Sequence, residues 1–221
     1  MTNSAGASFW DLNLTEMRDL IASVKPTPGG GSVSVVSAVF GLALISKGIA
    51  ISIRHVDAES PRHQILLEAK NSLGISMKRL GAFADADANT FQTYLRARAM
   101  PHITEDETQA RALAMNTALL DAIRLPLEAA REMCTCMAVA DTATKLSDDR
   151  VLSDVVAGAL LLRASISSVL LNVDINLVHL SDSALREQLH SQRVQLEEAP
   201  AQQSEAIRQQ FHSRVTGSVL R

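Results

Sequence analysis

Residues 33–53 read VSVVSAVFGLALISKGIAISI, and this stretch decides the fold. It is apolar nearly all round a helical wheel, its polar exceptions being Ser34, Ser37, Ser46, Lys47 and Ser52. A helix of that kind belongs in the middle of a bundle, covered by neighbours on every side. The surrounding composition agrees: of 221 residues, 31 are Ala and 28 are Leu, both strong helix formers, and only seven are aromatic. Sandwiches and barrels need alternating runs of Val, Ile, Thr and aromatic residues, which are scarce here, so a strand-rich fold is excluded. With 47% hydrophobic and 20% charged residues the chain is an ordered globular one, and its length fits a single domain.

On the N-terminal side of this stretch lies Thr27-Pro28-Gly29-Gly30-Gly31-Ser32, preceded by Pro26. Two prolines and three glycines oppose helix and strand alike, so a turn is expected there and the apolar helix is predicted to start at Ser32. Further upstream, Asn13 and Glu16 are spaced as a capping box, and Leu14, Met17, Ile21 and Val24 recur at helical intervals, which predicts a short first helix. Downstream, Ser60-Pro61 reads as the N-cap and first residue of a long amphipathic helix closed by Pro101. Thr104 and Glu107 repeat the capping-box pattern and open a helix expected to kink or break at Leu125-Pro126 before resuming to Leu146. After the polar Ser147-Asp148-Asp149-Arg150, a second nearly all-apolar helix is predicted over 153–180. From about residue 182 the chain is charged and Gln-rich, and reads as exposed helices around a break at Pro200. The expectation is an all-α, single-domain bundle over 1–221, with two buried apolar helices wrapped by amphipathic ones and a polar helical C-terminal extension.

A net charge of −3 gives no excess positive field for phosphate backbones, so nucleic acid is excluded as a partner. The apolar part of the longest uncharged run, 33–46, reads as too short to span a bilayer, and no membrane partner is expected. The N-terminal MTNSAGASFWDLN lacks the basic and apolar regions of a secretion signal. Cys134 and Cys136 are poorly spaced for a disulfide and too few for structural zinc, which fits a cytoplasmic location. The six histidines show no paired metal spacing. Asp85, Asp87 and Asn89 fail as a calcium loop because Thr90 and Arg96 stand where Gly and Glu are needed. No metal is expected.

Three places can carry chemistry. The glycine turn leaves backbone N–H groups at the positive end of a helix, which suits a polar or anionic ligand and equally suits a tight helix connection. Asp87 and Phe91 share a helix face, a carboxylate one turn from an aromatic ring. Asn172 and Asn176 lie one turn apart in an apolar helix, where unpartnered amides are costly; they bond across helices or face a ligand. Ser153-Asp154 reads as an N-cap with an acidic first turn.

Taken in order, TPGGGS at 27–32, Asp87-x-x-x-Phe91, Pro101, Glu107-x-x-x-Arg111, Leu125-Pro126-Leu127, Ser153-Asp154 and Asn172-Val173-x-Ile175-Asn176 resemble the cyclodeaminase/cyclohydrolase family over roughly 12–185. That family contains the deaminase part of formiminotransferase-cyclodeaminase and free-standing methenyltetrahydrofolate cyclohydrolases. The resemblance implies an all-helical homodimer, without a cofactor, acting on the one-carbon bridge of a tetrahydrofolate derivative. It makes Asp87 the acid/base and assigns substrate binding to Thr27, Pro28, Gly29, Gly30, Gly31, Ser32, Ser153, Asp154, Asn172 and Asn176. Of the two reactions, hydrolysis of methenyltetrahydrofolate to 10-formyltetrahydrofolate is preferred. Cyclodeamination, another cyclic amidine or imine substrate, and a non-catalytic ligand-binding dimer remain open. The chain departs from the family where paired lysines are usual, having Lys47-Gly48 and Arg54-His55 instead. Asp148-Asp149 stands in place of a Gly-Asn pair, and Asp174 where a basic residue is common. Both acidic changes are expected to make the site more acidic.

Overall fold

The computed structural model describes residues 8–219. Among them are six α-helices and no strand: α1 Leu14–Ile21, α2 Gly30–Ile53, α3 Pro61–Arg98, α4 Glu105–Leu146, α5 Leu152–Leu177 and α6 Ser183–Val219. The expected all-α bundle is what the chain forms. Helices α2 and α5 are its centre, running antiparallel against each other, with α3 and α4 packed around them and α6 across α4 and α5. Leu42, Ile45 and Ile49 of α2, Leu162 and Ile166 of α5, Leu66, Leu73 and Leu80 of α3, and Ile123 and Met133 of α4 are fully buried together. Each such side chain contributes on the order of 1.5–3 kcal/mol. The two central helices touch backbone to backbone, since a β-carbon on Gly41 would fall 2.7 Å from the carbonyl oxygen of Gly158.

Local signals set the helix starts. Asn13 caps α1 and Thr104 caps α4, each with its reciprocal Glu, and Ser60 accepts from the N–H of His63 with Pro61 behind it. Helix α2 begins two residues earlier than predicted, at Gly30 with Gly29 as N-cap, because the glycines enter the helix rather than the turn. The N-terminal strap is tied to α3: the Ser8 hydroxyl and Phe9 N–H donate to Asp85 at 2.6 and 2.9 Å, and the Trp10 indole donates to the Gly81 carbonyl at 3.0 Å.

Three expectations need correction. Pro126 does not end its helix; α4 is one helix through it. The Ala122 carbonyl, which a residue other than proline at 126 would have bonded, accepts instead from Asn176 Nδ2 at 3.3 Å. Pro200 likewise lies inside α6, and the carbonyl it frees, Leu196, accepts from the Cys134 thiol at 3.6 Å. Nor is the C-terminal segment simply exposed. Ile207 is fully buried, and Arg163 and Ser167 of α5 bind Glu197 of α6 at 2.6 and 2.7 Å.

The first apolar helix is also longer than the 33–46 run. The apolar run is part of a 24-residue helix, and both α2 and α5 are long and apolar enough to cross a membrane by length and composition alone. One side of each is buried in the bundle. The outward side of the pair is an apolar stripe: Phe40 on α2, then Leu160, Leu161, Leu171, Ile175 and Val178 along α5, with exposures from 41% to 69%. Trp10 stands against Phe40 with ring centroids 6.3 Å apart.

Candidate active site

Helix α3 carries Asp87 past the N-terminus of α2. Asp87 Oδ2 accepts from the Ser32 N–H at 2.9 Å and lies 2.8 Å from the Ser32 hydroxyl. That hydroxyl is also 3.0 Å from the Ala84 carbonyl, so its single proton is shared between two acceptors. The carboxylate rests directly on Gly31, where a β-carbon would fall 2.7 Å from Asp87 Cγ. Only glycine admits this approach. Asp87 Oδ1 and the N–H groups of Gly30 and Gly31 have no hydrogen-bond partner among the described residues.

These groups line a cavity of about 670 Å³ enclosed by the glycine turn, the C-terminal third of α3, the first half of α4 and the end of α5. Phe91 and Tyr94 supply aromatic faces, Met115, Leu119 and Leu125 apolar wall, and Asn172, Asn176 and His179 polar edge. A flat heterocycle with hydrogen-bonding edges suits such a lining. Its lining holds one carboxylate, Asp87, and one imidazole, His179; no Lys or Arg lines it.

Of the expected site residues, Thr27, Gly29, Gly30, Gly31, Asp87, Asn172 and Asn176 come together at this cavity. Pro28 is buried in the turn, after a cis Thr27–Pro28 bond, and Ser32 sits behind Asp87. Asn176 both faces the cavity and bonds across helices, donating to Ala122 and to the Asn172 carbonyl at 2.7 Å. Ser153 and Asp154 lie elsewhere within the chain. They are at the other end of α5, 19 residues before Asn172 and so about 28 Å along the helix. Ser153 is exposed and Asp154 pairs with Lys47 at 2.8 Å.

The acidic departures do not charge the cavity. Asp148 is gripped by Arg150, whose hydrogen bonds hold its carboxyl well below the usual range, and Asp149 pairs with Arg214. Asp174 binds Arg193 of α6 through both oxygens at 2.8 Å. Arg150, Arg193 and Arg214 supply local compensation that sequence spacing did not reveal. Thr90, Tyr94 and His179 were missed as site residues. Their signal was helical phase: Thr90 and Tyr94 follow Asp87 by three and seven residues, and His179 follows Asn176 by three and Asn172 by seven.

Fold and site together define the class: an all-helical protein with a carboxylate-bearing ligand cavity at one end of its two central helices. The chain belongs to the formiminotransferase-cyclodeaminase family, whose model matches residues 13–195. A methenyltetrahydrofolate cyclohydrolase from Methylorubrum extorquens is 31% identical over 173 residues, covering 77% of this chain and 81% of that protein. The formimidoyltransferase-cyclodeaminase of Sus scrofa is 29% identical over 189 residues; the match covers 82% of this chain but only 34% of that longer protein. Among solved structures, a formiminotetrahydrofolate cyclodeaminase from Thermotoga maritima superposes with a TM-score of 0.81 at 22% identity, over 93% of this chain and 98% of its own, which establishes the fold.

Proposed function

We propose that this protein is an enzyme of folate one-carbon metabolism, a methenyltetrahydrofolate cyclohydrolase with Asp87 as its acid/base. The observation that carries the reading is the Asp87 carboxylate, held by Ser32 and Gly31 with one oxygen unpartnered at the edge of a cavity walled by Phe91 and Tyr94. The bridging carbon of methenyltetrahydrofolate lies between two nitrogens and shares their positive charge. Asp87 attracts that cation and takes a proton from water as the water oxygen bonds to the bridge carbon. When one carbon–nitrogen bond breaks, Asp87 returns its proton to the departing nitrogen. The remaining hydroxyl proton leaves to solvent as the formyl carbonyl forms. Ser32 keeps Oδ2 fixed throughout, and Asn172, Asn176 and the Gly30 and Gly31 N–H groups hold the edges of the ring system.

The enzyme needs no cofactor for this chemistry and works as a cytoplasmic homodimer. Two free thiols, pushed up to about 11 by burial, fit a reducing compartment. The stripe on α2 and α5 supports the dimer. Six large apolar side chains there, each exposing on the order of 100 Å², supply much of the roughly 800 Å² per partner of a standard interface.

A second reading, cyclodeamination, is favoured by the similarity to cyclodeaminases. There a folate nitrogen attacks the formimino carbon, ammonia leaves, and the same carboxylate moves the proton. To separate the two, methenyltetrahydrofolate absorbance and ammonia release from formiminotetrahydrofolate are followed beside an Asp87→Asn variant, with spontaneous reaction subtracted. The wild type accelerates the first, and the variant loses about 100-fold or more in kcat. Ammonia release alone identifies the deaminase, and no acceleration of either reaction overturns the proposal.

A further inference from the structure

We propose that the groove between α3 and α4 is a second entrance to the active site, through which water reaches Asp87 from behind, past Phe83, while the substrate fills the cavity in front. The inference rests on the folate reading above and deepens it by saying how water meets a carbon that faces the carboxylate in an occupied site.

Hydrolysis takes up one water per turnover at the carbon beside Asp87. A ligand in a cavity of about 670 Å³ has roughly 70–90% of its surface covered, so a bound ring system closes the front of the carboxylate to solvent. Water then comes either trapped with the substrate or by another side.

The structure has such a side. A groove of about 550 Å³ runs between α3 and α4, and half-buried Phe83 and Leu125 are part of its lining. The same two residues line a narrow space of about 10 Å³, at the lower limit of what one water molecule takes. That space is bounded as well by Gly31, Asp87 and Pro126, all three of which line the substrate cavity. Groove, narrow space and cavity thus follow one another in a row, and Asp87 stands where the last two meet.

Small residues leave the gap. Ala82 and Ala86 beside Phe83 on α3, Ala129 on α4 and Gly31 on α2 bring too little side chain to close the space between the helices. Phe83, Asp87 and Phe91 are spaced by four along α3, so the carboxylate has a ring one turn before it and another one turn after. Phe91 walls the substrate cavity, whereas Phe83 stands in the passage. A change of rotamer that turns the Phe83 ring toward the groove opens the way without moving the backbone.

The lining selects what crosses. At the mouth Arg79 and Arg131 are balanced by Glu128 and Glu132, and Glu132 is already engaged by Arg79 at 3.5 Å and by the Ser76 hydroxyl at 2.6 Å. Such a rim is wet but has no net charge to gather an ion. The narrow space behind it has Asp87 as its one polar side chain, among Val35, Phe83, Leu125, Pro126, Ala129 and Val169. An ion loses its hydration there without replacement. A single water crosses and meets Asp87 Oδ1, which has no hydrogen-bond partner among the described residues. In cyclodeamination, which takes up no water, the molecule that crosses is neutral ammonia on its way out. No residue of α2 or α5 lines the groove, so a second copy seated on the apolar stripe leaves its mouth open.

A removable plug tests the passage. Ala82 lines the groove, is exposed and lies outside the core, so Ala82→Cys is expected to turn over methenyltetrahydrofolate as wild type does. The new thiol is converted to a methyl or a benzyl disulfide with the matching methanethiosulfonate. Wild type treated alike is the control, its own two thiols being pushed up to about 11 by burial. The benzyl adduct lowers kcat about tenfold with no rise in KM, the methyl adduct lowers it less, and dithiothreitol restores the rate. The same benzyl adduct at Ala138→Cys, exposed on α4 away from the groove, leaves kcat unchanged. Undiminished kcat in the benzyl adduct at position 82, or a rise in KM alone, overturns the proposal.

A second arm needs no turnover. Ala129→Cys places a thiol at the narrow space. Methyl methanethiosulfonate is expected to modify it, about tenfold more slowly when Ala82→Trp covers the groove. The rate is expected to stay the same when 5-formyltetrahydrofolate fills the cavity in front. Protection by that ligand and none by Ala82→Trp means that the space is reached from the front, and no modification means that nothing crosses; both overturn the proposal. Modification governed by the groove, in a protein that neither binds nor turns over a folate, upholds the passage while rejecting the folate reading.

Discussion

Gly31 is held to glycine by the carboxylate resting on it, not by its backbone angles. An added methyl group has nowhere to go except into Asp87, whose end is flexible enough to move. Gly31→Ala is therefore expected to fold normally, with a melting temperature within a few degrees of wild type, while kcat falls about 100-fold because the base is displaced by roughly 1 Å. A thermal melt beside a turnover assay checks this, and an unfolded variant or an unchanged kcat contradicts it. This pairing was not legible from spacing, because 56 residues separate Gly31 from Asp87 and only the family resemblance joined them. The remainder of the Asp87 face was legible in principle. Thr90 and Tyr94 share its helical phase, yet a Thr and a lone Tyr on an amphipathic helix carry no chemical signal until a cavity is seen beside them.

At the scale of elements, what is local was readable and what is compensated from a distance was not. Both capping boxes and the Ser60-Pro61 start depend on side chains within three residues of the helix end, so the sequence shows them directly. Pro126 and Pro200 read as breaks because a helix interior loses a hydrogen bond there. The donors that repair the loss, Asn176 and Cys134, come from 54 and 62 residues away from the carbonyls they satisfy. This gives Asn176 a structural duty that a double-mutant cycle isolates. Asn176→Ala leaves the Ala122 carbonyl without that donor and costs about 1–2 kcal/mol by urea denaturation. In a Pro126→Ala background residue 126 regains an N–H for that carbonyl, and the cost of Asn176→Ala shrinks by about 1 kcal/mol. Equal costs in the two backgrounds mean that Asn176 serves the cavity alone.

Across the whole molecule, the two apolar helices announced themselves, but the polar C-terminal helix was underestimated because its attachment is ionic as much as apolar. Helix α6 is fastened to α5 by Arg163, Ser167 and Asp174, and the central group on its own side is Glu197. Burial pushes the Glu197 carboxyl up, but hydrogen bonds from Ser167 and Arg163 and the charges of Arg163 and Arg193 outweigh it, so it lies below its ordinary value of 4.5. A carboxyl that binds its proton more weakly when folded stabilises the fold fully above the unfolded value and loses that contribution as pH falls through the folded one. Above about pH 5 wild type is thus expected to exceed Glu197→Gln in stability by about 2 kcal/mol, the scale of hydrogen bonds to a charged group. As pH falls below 4.5 and through the lowered folded-state value the gap closes, because wild type becomes protonated at the position where the variant is permanently neutral. Denaturation of the two proteins in parallel from pH 7 to pH 3 measures the difference. Carboxyls common to both cancel in it, leaving the clasp between α5 and α6, and a gap that stays constant with pH shows that Glu197 is not what fastens them.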